Sequence, residues 1–171
     1  KETLPGEKRS KGSLDTTLCT FKQLLKNRVF MGHALVQGFV SGAMFAYIAG
    51  SPFVFQDIFG VSPQLFSLFF ALNSLGLIVA GQVTGRLAGR VREKTLLLIG
   101  LGMAVTGGIL LLAMIIVGGG LVTIVPPLLL AVSSVGVVGP SSFSLAMQDQ
   151  AKAAGSAAAL IGLLSFIVGG L

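Results

Sequence analysis

Residues 95–148 read TLLLIGLGMAVTGGILLLAMIIVGGGLVTIVPPLLLAVSSVGVVGPSSFSLAMQ, 54 consecutive positions without an Asp, Glu, Lys or Arg. As one helix this stretch would reach ~80 Å, at ~1.5 Å per residue, whereas the hydrocarbon core of a bilayer is ~30 Å thick. It therefore has to turn back on itself. Gly118-Gly119-Gly120 stands where a hairpin would divide it into two spanning segments, and glycine supplies the backbone freedom for a tight connection.

Working outward, three further charge-free runs appear: 28 residues from Val29 to Gln56, 28 from Ile58 to Gly85, and 19 from Ala153 to Leu171. A spanning helix needs about 20 apolar residues. The expectation is an all-α transmembrane bundle with five spans near 31–51, 62–84, 95–117, 121–146 and 154–171, the last one unfinished. Composition agrees. Hydrophobic residues make up 53% of the 171 positions and charged ones 11%, against roughly a quarter charged in ordinary soluble domains. One compact core cannot hide so much apolar surface from water. The chain starts at Lys1 rather than Met and stops inside an apolar run at Leu171, so a fragment of a longer protein is expected.

The net charge of +6 raises the possibility of nucleic-acid binding, but its distribution points to a membrane. Seven of the twelve Lys and Arg residues lie between Lys1 and Arg28, four between Arg86 and Lys94, and the last is Lys152. The connections around Asp57 and around the glycine triplet have none. With five spans, every basic residue falls on one side, which the positive-inside rule makes cytoplasmic. Residues 1–30 are expected to be a cytoplasmic linker. Within it, Leu18, Phe21 and Leu25 recur at helical spacing beside Lys22, Lys26 and Arg28. This segment is either a short helix lying on the leaflet or an extension of the first span.

Polar side chains in hydrocarbon are costly and mark candidate functional positions. Gln37, Ser41 and Phe45 are spaced by four and share a helix face, with Tyr47 roughly 160° around from Phe45. Gln37 lies deep enough for its amide to need partners, which a water-filled central cavity would supply. Asn73 near the middle of the second span is either interhelical glue or a cavity donor. His33 sits near the basic end, where contact with water satisfies it. Ser133, Ser134, Ser141 and Ser142 can bond backbone carbonyls within their own helix. Small residues four apart, Gly38 with Gly42 and Gly81 with Gly85 and Gly89, are expected to let helices approach closely. Pro52, Pro126, Pro127 and Pro140 are expected to bend or end helices.

No Asp, Glu, Lys or Arg lies well inside a span, so proton-binding carboxylates are expected outside this stretch of chain. One Cys (Cys19) and one His (His33) offer no metal site or disulfide framework. No nucleophile elbow or dinucleotide-binding glycine loop is present, and neither enzyme chemistry nor a cofactor is expected.

The segment Gly85-Arg86-Leu87-Ala88-Gly89-Arg90-Val91-Arg92-Glu93-Lys94 resembles the Gly-x-Leu-Ala-Asp-Arg-x-Gly-Arg-Lys loop of the major facilitator superfamily. In that family the loop joins helices two and three, and a degenerate copy joins helices eight and nine. Gly89 in place of Asp and Arg92 in place of the second Gly match the degenerate copy. These departures leave Arg86, Arg90 and Lys94 a role as topological anchors. The stretches Ala46–Gln56, Phe69–Asn73 and Ala154–Gly162 are similar to the Bcr/CflA branch, the bicyclomycin- and chloramphenicol-type efflux proteins.

The resemblance implies the C-terminal half of the superfamily bundle, helices seven to eleven, in a bacterial inner membrane. It further implies alternating-access export of hydrophobic drug-like molecules driven by protons, with a first half of the same transporter as partner. By position, Gln37, Ser41, Phe45 and Asn73 are the choices for the C-terminal wall of the substrate cavity. A facilitator for a nutrient or metabolite and a non-transporting membrane scaffold are the alternatives.

Overall fold

The computed structural model describes residues 14–150 and 153–170, every element of which is helical. Of the stretch 1–15, expected to be a flexible loop, residues 1–13 lie outside the described residues, as does the basic Lys152, and α1 already begins at Leu14. In chain order the elements are α1 (Leu14–Lys26), α2 (Arg28–Pro52) continued by a π-helical turn (Phe53–Ile58), α3 (Pro63–Leu87), α4 (Glu93–Ile116), α5 (Leu121–Met147) and α6 (Ala154–Gly169).

Each boundary has a local cause. Asn27 separates α1 from α2, and its Oδ1 accepts from the backbone N–H groups of Val29 and Phe30 at 3.1 and 3.2 Å. An asparagine cap supplies acceptors for donors that the first turn leaves unpaired. Ser62 caps α3 in the same way, accepting from the Leu65 N–H at 3.3 Å, with Pro63 in the first turn. The 54-residue run does divide at the glycine triplet. Gly118 takes the left-handed conformation (φ +72°) and the Gly119 N–H donates to the Met114 carbonyl at 2.7 Å, closing α4 before α5 begins.

Pro52 does not end the first span. Lacking an N–H, it breaks the regular ladder, and the next six residues wind more widely instead. The Phe59 N–H reaches the Val54 carbonyl at 3.2 Å, a five-residue step. Helical backbone therefore extends through Asp57, a position expected in a connection. Pro126, Pro127 and Pro140 also lie within one continuous helix, α5.

α2 together with its π-helical turn, α3, α4 and α5 are each long and apolar enough to cross a membrane. With 16 residues, α6 is apolar but reaches only about 24 Å. α5 is the centre of the bundle: α3, α4 and α2 pack around it, and α6 lies on the other side of α2.

Glycines set the spacing of these contacts. On α5, Gly136 faces the α3 backbone, where an added Cβ would meet the Leu77 carbonyl oxygen and approach the Gly81 nitrogen to 2.9 Å. Gly76 of α3 fits against Ser133 of α5. Gly100 and Gly107 of α4 admit Val138 and Ala131 of α5, with 2.7 Å to the Ala131 nitrogen. Gly38 and Gly42 of α2 accept Val168 of α6 at 3.3 and 3.2 Å from where a Cβ would stand. Gly85 and Gly89 do not belong to a seam. Both have open space where a Cβ would be, and Gly89 (φ +82°) instead makes the turn between α3 and α4.

The two ends of the bundle differ in charge. A single apolar cavity touches Gly50 and Phe59 as well as Gly118 and Gly119, which puts the α2–α3 and α4–α5 connections at one end. At the other end Ser144 of α5 meets Glu93 at the start of α4, and Leu24 of α1 packs with Phe30, Ala146 and Ala157. Among the described residues, Lys22, Lys26, Arg28, Arg86, Arg90, Arg92 and Lys94 all lie at this second end.

Candidate functional site

The interior of a membrane-spanning bundle has few polar groups, and among the described residues two sets of them stand where α2 meets its neighbours. The first joins α2 to α5. Ser142 of α5 is fully buried, and its hydroxyl donates to Gln37 Oε1 at 2.7 Å while also lying 3.2 Å from the Gly139 carbonyl. Gly139 lies against the amide, and a Cβ there would stand 3.9 Å from Gln37 Oε1, an ordinary contact distance. Ser41 is half-buried one turn along from Gln37.

The second set joins α2 to α3. Tyr47 stacks on Phe70, with ring centres 5.8 Å apart and planes 8° from parallel. Its hydroxyl lies near the side chain of Asn73. Asn73 is 1% exposed, and its Nδ2 donates to the Phe69 carbonyl one turn back at 3.1 Å. Its Oδ1 is buried with no hydrogen-bond partner, as are Ser51 Oγ and Ser141 Oγ. Below Ser51, Phe55 packs against Phe66 and Phe69 of α3 at 5.9 and 5.7 Å.

The four residues expected to line one wall are therefore not gathered on one surface. Gln37 turns to α5. Phe45 turns to α6, where it lies 6.0 Å from Phe166 and covers Gly169, and it remains 41% exposed. Asn73 belongs with Tyr47, on another side of α2. Helical spacing placed Gln37 and Phe45 on a common face, but α2 is held between α5 and α6, and the two ends of that face meet different neighbours. Ser142 was expected to satisfy itself within α5. It does so only in part, and its shorter bond is to Gln37, 105 positions away in sequence. Ser134 follows the local pattern, donating to the Ala131 carbonyl at 2.6 Å.

At the basic end, Arg86 in the last turn of α3, Arg90 in the connection and Lys94 in the first turn of α4 are all exposed. What ties this connection to α5 is Glu93, whose Oε1 accepts from Ser144 Oγ at 2.8 Å. A carboxylate in the first turn of α4 is also favourably placed relative to the positive end of that helix dipole.

A cavity of about 720 Å³ opens at the opposite end between α2, α4 and α5. Met44, Tyr47, Phe55, Leu111, Ile124 and Val132 are among its lining residues, of which only Tyr47 and Ser51 have polar side chains. Among the described residues, no three His, Cys, Asp or Glu side chains come together as a metal site would need.

Long apolar helices, glycine seams between them, neutral polar groups inside and basic residues at one end define a polytopic helical membrane protein. The model of the Major Facilitator Superfamily matches residues 1–171, and the chain belongs to that family of membrane transporters. It is 45% identical over its full length to an uncharacterized MFS-type transporter, YdgK, of Bacillus subtilis (strain 168), covering 42% of that protein. It is 26% identical over 170 residues to a bicyclomycin resistance protein homolog of Haemophilus influenzae, covering 43% of it. The chain thus spans about two-fifths of the length of these curated relatives.

Proposed function

We propose that the chain forms most of the C-terminal half of a secondary transporter of the Bcr/CflA type. It would export hydrophobic drug-like molecules across a bacterial inner membrane in exchange for protons. The observation that carries this is the likeness, along almost the whole chain, to a relative named for bicyclomycin resistance. The interior chemistry supports it. The α2–α5 contact offers an amide and hydroxyls but no fixed charge, which suits apolar substrates bound with little discrimination. A transporter of charged metabolites would be expected to place an ionic partner there.

In this mechanism the two halves rock about a site near the midplane, and the proton-binding carboxylates lie in the first half. Gln37 and Ser41 present hydrogen-bonding groups to substrate, and Phe45 presents an apolar surface. Asn73 stands on the α2–α3 contact beside Tyr47. Arg86, Arg90 and Lys94 anchor the bundle on the cytoplasmic side.

The test is efflux of a fluorescent drug from cells carrying or lacking the intact gene, with and without a protonophore. Export requires greater drug retention in the deletion strain and loss of the difference when the proton gradient is collapsed. Equal retention in both strains would refute it. Gln37→Ala in the intact transporter is expected to change the drug profile at unchanged expression.

A further inference from the structure

α1 is held to the bundle along one edge only. Leu24 is 3% exposed and packs with Phe30, Ala34, Ala146 and Leu160, with Phe21 beside it. At 3.6 residues per turn, Leu18 and Leu25 stand within about 20° of each other and roughly 100–120° around the helix from Leu24. That places them clear of the bundle, and they are 64% and 51% exposed. Lys22 and Lys26 come next around the helix, about 40° and 80° beyond Leu18, and both are exposed. Three stripes therefore follow one another: a bundle-facing edge, a bare apolar edge and a basic edge. Arg28 and Val29, at the start of α2, are exposed as well.

The place of this helix says what covers it. α1 lies at the basic end of the spans, at the level where α2 and α6 leave the hydrocarbon. A leaflet surface is present there whether or not any protein partner is. Leucines beside lysines match that boundary: the apolar side chains enter the acyl region and the ammonium groups stay at the level of the phosphates. Charge favours it as well. Lys and Arg number seven between Lys1 and Arg28 against three acidic residues, Glu2, Glu7 and Asp15.

We infer that α1 is a docking foot for anionic phospholipid, with Leu18 and Leu25 seated in the acyl boundary and Lys22 and Lys26 on lipid phosphates. It couples the orientation of α2, which begins directly after the Asn27 cap, to the charge of the leaflet. This depends on the membrane topology and not on what the transporter carries.

Cys19, the chain's single cysteine, is exposed on α1 about 20° beyond Lys26 and serves as a probe position. The intact transporter, with any cysteine outside this stretch replaced, is labelled there with a nitroxide. It is then reconstituted in nanodiscs of phosphatidylcholine with increasing phosphatidylglycerol. The expected result is a label at headgroup depth that becomes more immobile as phosphatidylglycerol rises. Lys22→Gln with Lys26→Gln should weaken docking on the anionic surface ~25-fold, at ~5-fold per lysine, so that the label stays mobile at phosphatidylglycerol contents that immobilise it in the wild type, and Lys22→Arg with Lys26→Arg should restore the response. A label shielded from both lipid and water in every nanodisc would show a protein covering this edge and overturn the inference. So would a response indifferent to phosphatidylglycerol or to removal of the lysine charges.

Discussion

Gly136→Ala is the sharpest test of the packing, because the atoms it would displace are backbone on both sides. A Cβ at Gly136 would meet the Leu77 carbonyl and stand 2.9 Å from the Gly81 nitrogen and 3.2 Å from Ala80 Cβ. Non-bonded heavy atoms rest at about 3.5 Å or more, so α3 and α5 would have to part by at least about half an ångström. Neither helix can absorb this by turning a side chain. Overpacking of this kind costs ~1–3 kcal/mol, and the fixed backbone puts it toward the upper part of that range. Alanine is also the better helix former, returning ~1 kcal/mol.

The expected net loss is about 1–2 kcal/mol, a ~5–30-fold fall in the folded-to-unfolded ratio. Gly102→Ala provides the contrast, since nothing lies within 4 Å of its Cβ position and only the propensity gain remains. The assay is thermal unfolding of the intact transporter in detergent, followed by the fraction remaining monodisperse. Gly136→Ala should melt below wild type and Gly102→Ala at or above it. Equal melting of the two variants would refute the α3–α5 contact as described.

Three further outcomes follow from the polar contacts. Ser142→Ala and Gln37→Ala, alone and combined, should show a coupling of roughly 0.6–1.7 kcal/mol in a double-mutant cycle on stability, the range for hydrogen bonds between membrane helices; additive effects would mean that the two side chains do not meet. Glu93→Gln should keep most of the anchorage to Ser144, since the amide oxygen still accepts, while Glu93→Ala should lose ~1 kcal/mol. Asn27→Ala should cost ~0.5–2 kcal/mol by removing the cap of α2, and hydrogen exchange at the Val29 and Phe30 amides should accelerate accordingly.

The bilayer made much of the fold legible. A charge-free run must cross or turn back, and counting residues against ~30 Å leaves little freedom. The glycine triplet showed the position of the α4–α5 turn because glycine alone takes Gly118's conformation without strain. The π-helical continuation of α2 was not legible. Asp57 resembles a loop residue in sequence, and only the i→i+5 pairing after Pro52 carries the helix past it.

The candidate site was half legible for a related reason. Spacing by four fixes which residues share a face, but it does not say which helix that face meets. Gln37 and Phe45 consequently diverge toward α5 and α6. Ser142 could be recognised as polar and buried, yet the residue completing its hydrogen bonding lay in another span. Gly85 and Gly89 kept the spacing of a seam, but they lie where α3 ends and no helix approaches.

The topology is tested most directly by placing single cysteines at Arg90 and at Gly120, where a Cβ meets nothing within 4 Å, in the intact protein with Cys19 replaced, in cells and in inverted membrane vesicles. Each is exposed to a membrane-impermeant maleimide. The Arg90 position should react only in inverted vesicles and the Gly120 position only in intact cells, because the two turns lie at opposite ends of the bundle. Labelling of both from the same side would contradict the arrangement of the spans and the membrane orientation built on it.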